Sequence, residues 1–260
     1  MRVLITGSSG LIGSSLIPFL AKGGYHVTRL VRARPKPDGD EVRWDPEKSE
    51  VDRDGLEGLD AVVHLAGENI AGGRWTVDRK AKIRSSRVEG TRLLCEALAG
   101  LERPPKVLVS ASAIGYYGDR GNEVLNEESP PGAGFLSEVC QEWEVASGPA
   151  DQAGIRVVRL RMGIALSNRG GALAKMLLPF RLGLGGKIGS GGQYMSWIAL
   201  NDVVGAIHHA MITEALRGPV NAVGPSPVVN LEFTKTLGRV ICRPTIFPLP
   251  AFAARLALGE

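Results

Sequence analysis

Arg2-Val3-Leu4-Ile5-Thr6-Gly7-Ser8-Ser9-Gly10-Leu11-Ile12-Gly13 stands almost at the start of the chain, and its reading decides the fold. A short apolar, β-branched run leads into glycines spaced Gly-x-x-Gly-x-x-Gly, and an amphipathic stretch follows. Strand, glycine turn and helix in that order bring backbone N–H groups at a helix N-terminus to face a pyrophosphate. Each glycine has its own task. Gly7 permits the tight turn, Gly10 lets the backbone approach the phosphates, and Gly13 lets the helix pack closely. Ser8, Ser9, Leu11 and Ile12 complete the expected cofactor grip.

The helix opened by this turn is predicted over about Leu11 to Lys22. Ile12, Leu16, Phe19 and Leu20 share one face, and Gly23-Gly24 stop it. Pro18 lies inside and predicts a bend. Further strands are predicted at His26 to Val31, Ala61 to Leu65, Lys106 to Ser110 and Ile155 to Leu160, several of them nearly continuous apolar runs. Between them, Val88, Thr91, Cys95 and Leu98 mark one helix, and Phe135, Val139, Trp143 and Ala146 another. This alternation implies right-handed βαβ units and an α/β, Rossmann-type doubly wound parallel sheet. After about Leu166 the texture changes, with glycines dense from Gly183 to Gly192 and prolines clustered from Pro219 to Pro250. Residues 1–165 are therefore expected to form the cofactor domain and residues 166–260 a smaller C-terminal substrate lobe.

Where the second strand ends, an NAD site usually carries an acid for the ribose 2′-hydroxyl. Here the chain reads Leu30-Val31-Arg32-Ala33-Arg34, and the first acid is Asp38. Arg32 is placed to meet a 2′-phosphate, which a guanidinium matches in charge and geometry. The alternative is a solvated surface arginine. The expected cofactor is NADP(H).

Composition narrows the partners. The net charge is +4, but 31 basic residues are scattered among 27 acidic ones without a dense basic block, which argues against nucleic acid. No apolar run approaches a membrane span, and no signal peptide is predicted. Three widely spaced cysteines (Cys95, Cys140, Cys242) form neither a C-x-x-C pair nor a disulfide framework, which suits a reducing cytoplasm. The expected partners are a small-molecule substrate and, at most, a second copy in a homodimer.

The glycine spacing resembles the extended short-chain dehydrogenase/reductase family, within the NAD-dependent epimerase/dehydratase superfamily. His64-Leu65-Ala66-Gly67 looks like that family's segment flanking adenine and ribose. Arg87-Val88-Glu89-Gly90-Thr91 looks like its Asn-Val-x-Gly-Thr motif, with Arg87 replacing asparagine. Ser110-Ala111-Ser112-Ala113, leading to Tyr117-Gly118, resembles the fifth-strand serine segment. Leu65-Ala66-Gly67-Glu68-Asn69-Ile70 with Arg74-Trp75, Tyr116-Tyr117-Gly118, and Leu178 to Gly186 are similar to an atypical subgroup labelled epimerase family proteins, or nucleoside-diphosphate-sugar epimerase-like. The resemblance implies Leu65, Ala66, Gly67, Glu68, Arg87 and Ser110 as further cofactor contacts. It also implies a C-terminal helical extension beginning near Glu260, which leaves a truncation open.

Catalysis is where the sequence departs from the resemblance. Family enzymes carry Tyr-x-x-x-Lys on a helix, where the lysine charge helps tyrosine exchange a proton with substrate. Aligning on Trp143-Glu144 puts Leu136 and Cys140 at those positions, so the dyad is absent. Ser112, Tyr116 and Tyr117 are the remaining candidates. Either tyrosine can replace the acid or serve as a packing aromatic, and Ser112 can touch substrate or cap a strand end. Cys140 reads as core, with no adjacent positive group to activate it. Lys187 and Gln193, on a flexible glycine loop, are candidate substrate contacts, whereas His208-His209 reads as core or boundary residues rather than metal ligands. Two functions follow: an NADP(H)-dependent oxidoreductase or epimerase-like enzyme, or a non-catalytic NADP(H) sensor or scaffold.

Overall fold

The computed structural model describes residues 1–36 and 39–250, so Asp38 and the C-terminal ten residues lie outside the described part. In chain order the elements are β1 (Arg2–Thr6), α1 (Gly13–Lys22), β2 (His26–Val31), β3 (Glu41–Asp45), β4 (Glu50–Val51), β5 (Ala61–His64), α2 (Val77–Ala99), β6 (Val107–Ala113), α3 (Phe135–Val145), α4 (Gly148–Gln152), β7 (Arg156–Met162), β8 (Ile164–Leu166), α5 (Gly171–Arg181), β9 (Tyr194–Met195), β10 (Trp197–Ala199), α6 (Leu200–Ile212), β11 (Gly218–Ala222), β12 (Val228–Val229) and α7 (Asn230–Val240). Eight strands form one sheet in the order β11-β7-β6-β5-β1-β2-β3-β4. All its pairings are parallel except β3 with β4.

The apolar strands explain the layering. Val3, Leu4 and Ile5 are all fully buried, as a strand covered on both faces requires. Val3 and Ile5 face one core with Leu16 and Leu20 of α1 and Val203 and Ile207 of α6. Leu4 faces the other with Leu94 and Leu98 of α2. Trp44 of β3 closes that second core. Helices on both faces of a parallel sheet make the doubly wound fold.

The sheet changes direction at β1: β2 and β3 extend one way, β5 to β7 the other. Ligands of such sheets bind outside the carboxyl ends of the strands at this switch point. The glycine turn, Arg32, residues 65–68 and residues 110–117 all occur at those ends.

Several expectations need correction. The division at residue 166 is not clean, because α6 packs on the cofactor-side core and β11 pairs with β7 in the main sheet. Strands β3 and β4 were not expected, and both lie at one end of the sheet. Phe19 is 45% exposed and sets its ring edge on His208 rather than entering the core. Pro18 lies inside α1, which ends at Lys22 as expected. Among the described residues no helix is long and apolar enough to cross a membrane.

Candidate functional site

The glycine turn has the geometry its spacing promised. Gly7 sits at φ +64°, and a Cβ there would lie 2.7 Å from the Leu65 backbone. A Cβ on Gly13 would strike the Gly7 carbonyl, so Gly13 lets α1 pack against the turn itself. Gly10 donates its N–H to the Gly7 carbonyl at 3.0 Å. Among the described residues the N–H groups of Ser8, Ser9, Leu11 and Ile12 find no acceptor. Four free donors at a helix N-terminus fit a dinucleotide pyrophosphate.

The floor of the site is a buried polar chain. Thr6 Oγ1 accepts the N–H groups of Leu65 and Ala66 at 2.9 and 3.0 Å. With both lone pairs engaged, its proton goes to His64 Nδ1 at 2.8 Å. The His64 proton then sits on Nε2 and is donated to Thr91 Oγ1 at 2.9 Å. Trp143 Nε1 donates to the same Thr91 oxygen at 2.9 Å. Burial pushes the His64 ring down to about 4, so it stays neutral near pH 7. This chain ties β1, β5, α2 and α3 together directly beneath residues 65–67. Thr6, His64 and Thr91 stand inside sequence motifs, but none of those motifs announced this chain.

Arg32 is exposed at the carboxyl end of β2, and among the described residues its guanidinium has no partner. Arg87 of α2 turns its guanidinium toward the Glu68 segment. Its Nη1 donates to the carbonyls of Glu68 (3.0 Å) and Ile83 (3.2 Å), and its guanidinium lies 5.1 Å from the Trp143 ring. It therefore braces the backbone at Glu68. The Glu68 carboxylate pairs with Arg79 at 3.2 Å. Ser110 is buried between the strands beside His64.

The candidates for catalysis gather around a buried ion pair that the sequence did not reveal. Arg161 on β7 grips Glu144 on α3 with both edges, Nε to Oε1 at 2.8 Å and Nη2 to Oε2 at 2.9 Å. Its remaining nitrogen donates to Tyr117 Oη at 3.0 Å and to the Glu127 carbonyl at 3.3 Å. Burial opposes the Arg161 charge, but the bonds to Glu144 and Tyr117 more than offset it and raise its pKa. Ser112 donates to Glu144 Oε1 at 2.6 Å, and Tyr117 donates to Asn221 Oδ1 at 2.7 Å. Ser112 and Tyr117 are thus buried and hydrogen-bonded within the network of this pair. Tyr116 differs. It is half-buried, its ring centroid lies 3.5 Å from the Arg161 guanidinium, and its hydroxyl has no partner among the described residues.

Residues 3–223 match the profile of the NAD dependent epimerase/dehydratase family. The chain belongs to that family. An epimerase family protein of Mycobacterium bovis is 46% identical over 258 residues, covering 99% of this chain and 85% of that protein. The crystal structure of human epimerase family protein SDR39U1 (isoform 2) with NADPH is 38% identical, with TM-score 0.91, covering 100% of this chain and 86% of that one. A nucleoside-diphosphate sugar epimerase from Corynebacterium glutamicum is 42% identical with TM-score 0.81, covering 98% of this chain and 54% of that one. The Rossmann-type fold and a site for a nicotinamide dinucleotide follow from this membership.

In this member of the epimerase/dehydratase family the dyad positions are filled by packing. Leu136 and Cys140 both lie against Gly115. Burial pushes the Cys140 thiol up to about 11, and Glu144 adds to the rise. Arg87 and Arg161 are near enough to oppose it, so Cys140 does have positive neighbours, but burial prevails. The glycine loop expected to be flexible is pinned: Gly189 N–H donates to the Leu249 carbonyl and Leu249 N–H to the Lys187 carbonyl, both at 2.9 Å. Lys187 and Gln193 turn onto their own loop, to the Ser190 and Ile188 carbonyls. His208 takes the Tyr25 hydroxyl at 2.8 Å and His209 pairs with Thr213, as boundary residues do.

Proposed function

We propose that this protein prefers NADP(H) to NAD(H), and that it is an oxidoreductase or epimerase-like enzyme acting on a small hydroxyl- or carbonyl-bearing substrate. The observation that carries the cofactor half is Arg32. A free guanidinium ends β2, one strand from the glycine turn, where an NAD site would present a carboxylate. The human relative's structure with NADPH supports the same preference. Four orphan N–H groups hold the pyrophosphate, and residues 65–68, fixed by Thr6 and Arg87, flank the adenosine side. When bound, the nicotinamide supplies or accepts hydride.

Tyr116 is the candidate acid. It alone of the three hydroxyl candidates keeps its proton uncommitted at the strand ends. A sugar nucleotide is the substrate class suggested by the relative from Corynebacterium glutamicum. The filled dyad positions favour a second reading, a sensor that binds NADP(H) without turnover.

Titrating the purified protein with NADPH and NADH tests the cofactor half, with Arg32→Ala as the variant. The expected result is a preference for NADPH that largely disappears in the variant. An unchanged ratio overturns the assignment of Arg32. Screening NADPH oxidation against carbonyl compounds tests the rest, and an absence of turnover across carbonyl classes favours the sensor.

A further inference from the structure

We infer that Arg169 is a second cationic clamp on the dinucleotide, reaching the pyrophosphate from the side of the sheet opposite Arg32. This rests on the dinucleotide reading above and adds to it a residue from the lobe segment.

The chain leaves β7, forms β8, and turns back at Ser167–Gly170, where a backbone bridge closes the turn and Arg169 N–H donates to Ser167 Oγ at 3.1 Å. The turn lies on the glycine loop. A Cβ on Gly170 or Gly171 would meet the Leu11 side chain at 3.2 or 3.1 Å, so only a backbone without side chains approaches Leu11 this closely. At the tip, Arg169 Nη2 donates to Ser15 Oγ at 3.0 Å. Ser15 in turn donates to the Leu11 carbonyl at 3.1 Å. The guanidinium is thereby held beside the first turn of α1 and the residues just before it, Leu11 and Ile12, whose N–H groups are unclaimed.

Arg169 is exposed, and no carboxylate pairs with it among the described residues. Its hydrogen bond to Ser15 uses one N–H of five, and a neutral hydroxyl leaves the charge uncompensated. An uncompensated cation beside orphan donors is matched by a diphosphate, whose oxygens take charge-assisted bonds from a guanidinium. The strand order divides the work. Arg32 follows β2 on one side of β1, whereas Arg169 follows β7 and β8 on the other. Arg32 therefore faces the adenosine half, where NADP and NAD differ, and Arg169 faces the diphosphate, which they share.

The two arginines predict different signatures in one experiment. Wild type, Arg32→Ala, Arg169→Ala and Arg169→Lys are titrated with NADPH and with NADH by ligand fluorescence, at fixed ionic strength. Arg169→Ala is expected to weaken both ligands by a similar factor, about tenfold, leaving their ratio intact. Arg169→Lys is expected to recover part of that loss, since the charge remains and the planar fork does not. Unchanged affinity for both ligands in Arg169→Ala overturns the inference. So does a loss confined to NADPH, which would put Arg169 at the 2′-phosphate. Should wild type bind neither dinucleotide, the proposed function fails as well. Should Arg32→Ala also leave the ratio unchanged while Arg169→Ala weakens both ligands, the assignment of Arg32 fails while the clamp stands.

Discussion

Glu144 on α3 and Arg161 on β7 meet edge to edge, with 2.8 and 2.9 Å bonds from Nε and Nη2 to the two carboxylate oxygens. The Arg161 side chain is 3% exposed and that of Glu144 11%. The pair therefore works in a protected setting where each ion depends on the other. Around it, Ser112, Tyr117 and Asn221 are drawn into one network, and Tyr116 rests on the face of the guanidinium.

Breaking this pair from one side is costly. Glu144→Ala leaves a buried guanidinium without its counter-ion, and the expected loss of stability is about 3–5 kcal/mol. Replacing both members with apolar residues, as in Glu144→Leu with Arg161→Met, removes both uncompensated charges, so the double variant should lose much less than the two singles added together. Urea unfolding of the four proteins measures the coupling. Strict additivity would mean that the pair does not act as a unit.

His64 gives a pH dependence whose sign is fixed by its burial. Its pKa is pushed down to about 4 in the folded protein, against about 6.5 in an unfolded chain. Below about pH 6.5 the unfolded chain takes up a proton that the folded chain refuses, so stability is whole above that pH and falls as acid is added. The His64 share of the loss is complete below about pH 4 and amounts to about 3 kcal/mol. A His64→Asn variant, although less stable at pH 7, should show a flatter decline between pH 7 and 4.5. Parallel profiles for variant and wild type would show that His64 is not the group responsible.

The glycine turn was legible because its logic is local. Spacing along Gly7, Gly10 and Gly13 carries the geometry, and the apolar run Val3-Leu4-Ile5 announces a buried strand. The ion pair was not legible. Glu144 and Arg161 lie in different elements, and nothing in their spacing along the chain pairs them. The same holds for Thr6, Thr91 and Trp143, whose polar atoms meet only once β1, α2 and α3 are assembled. Strand β11 is masked in the sequence by the proline-rich stretch that starts at Pro219. At the edge of the sheet, however, a proline costs no ladder bond. In β3, Glu41-Val42-Arg43-Trp44-Asp45 buries only Val42 and Trp44, too few apolar positions to stand out.

Two glycines of the turn should separate stability from binding. Gly7→Ala places a Cβ 2.7 Å from the Leu65 backbone at φ +64°, and the combined strain and crowding should cost about 2–4 kcal/mol. Gly10→Ala meets only the Gly7 carbonyl, at 3.2 Å. That variant should fold nearly as well as wild type while binding dinucleotide at least tenfold more weakly, because its methyl group occupies the approach to the phosphates. Thermal melts and NADPH titrations on both variants make the comparison. Normal NADPH affinity in Gly10→Ala would move the pyrophosphate away from this turn.

The two adjacent tyrosines should behave as opposites. Tyr117 Oη accepts from Arg161 at 3.0 Å and donates to Asn221 at 2.7 Å. Tyr117→Phe therefore leaves a buried guanidinium N–H and a side-chain carbonyl short of partners, at a cost of about 1–3 kcal/mol. Tyr116→Phe removes a hydroxyl with no partner among the described residues. Its ring keeps the stacking on Arg161, so stability should change by less than about 0.5 kcal/mol. If Tyr116 is the proton donor, the same variant lowers kcat by at least about 100-fold on any substrate the wild type turns over, with NADPH affinity unchanged. A Tyr116→Phe protein that keeps full turnover would remove Tyr116 from the reaction. A Tyr117→Phe protein that loses turnover without losing stability would return the role to Tyr117.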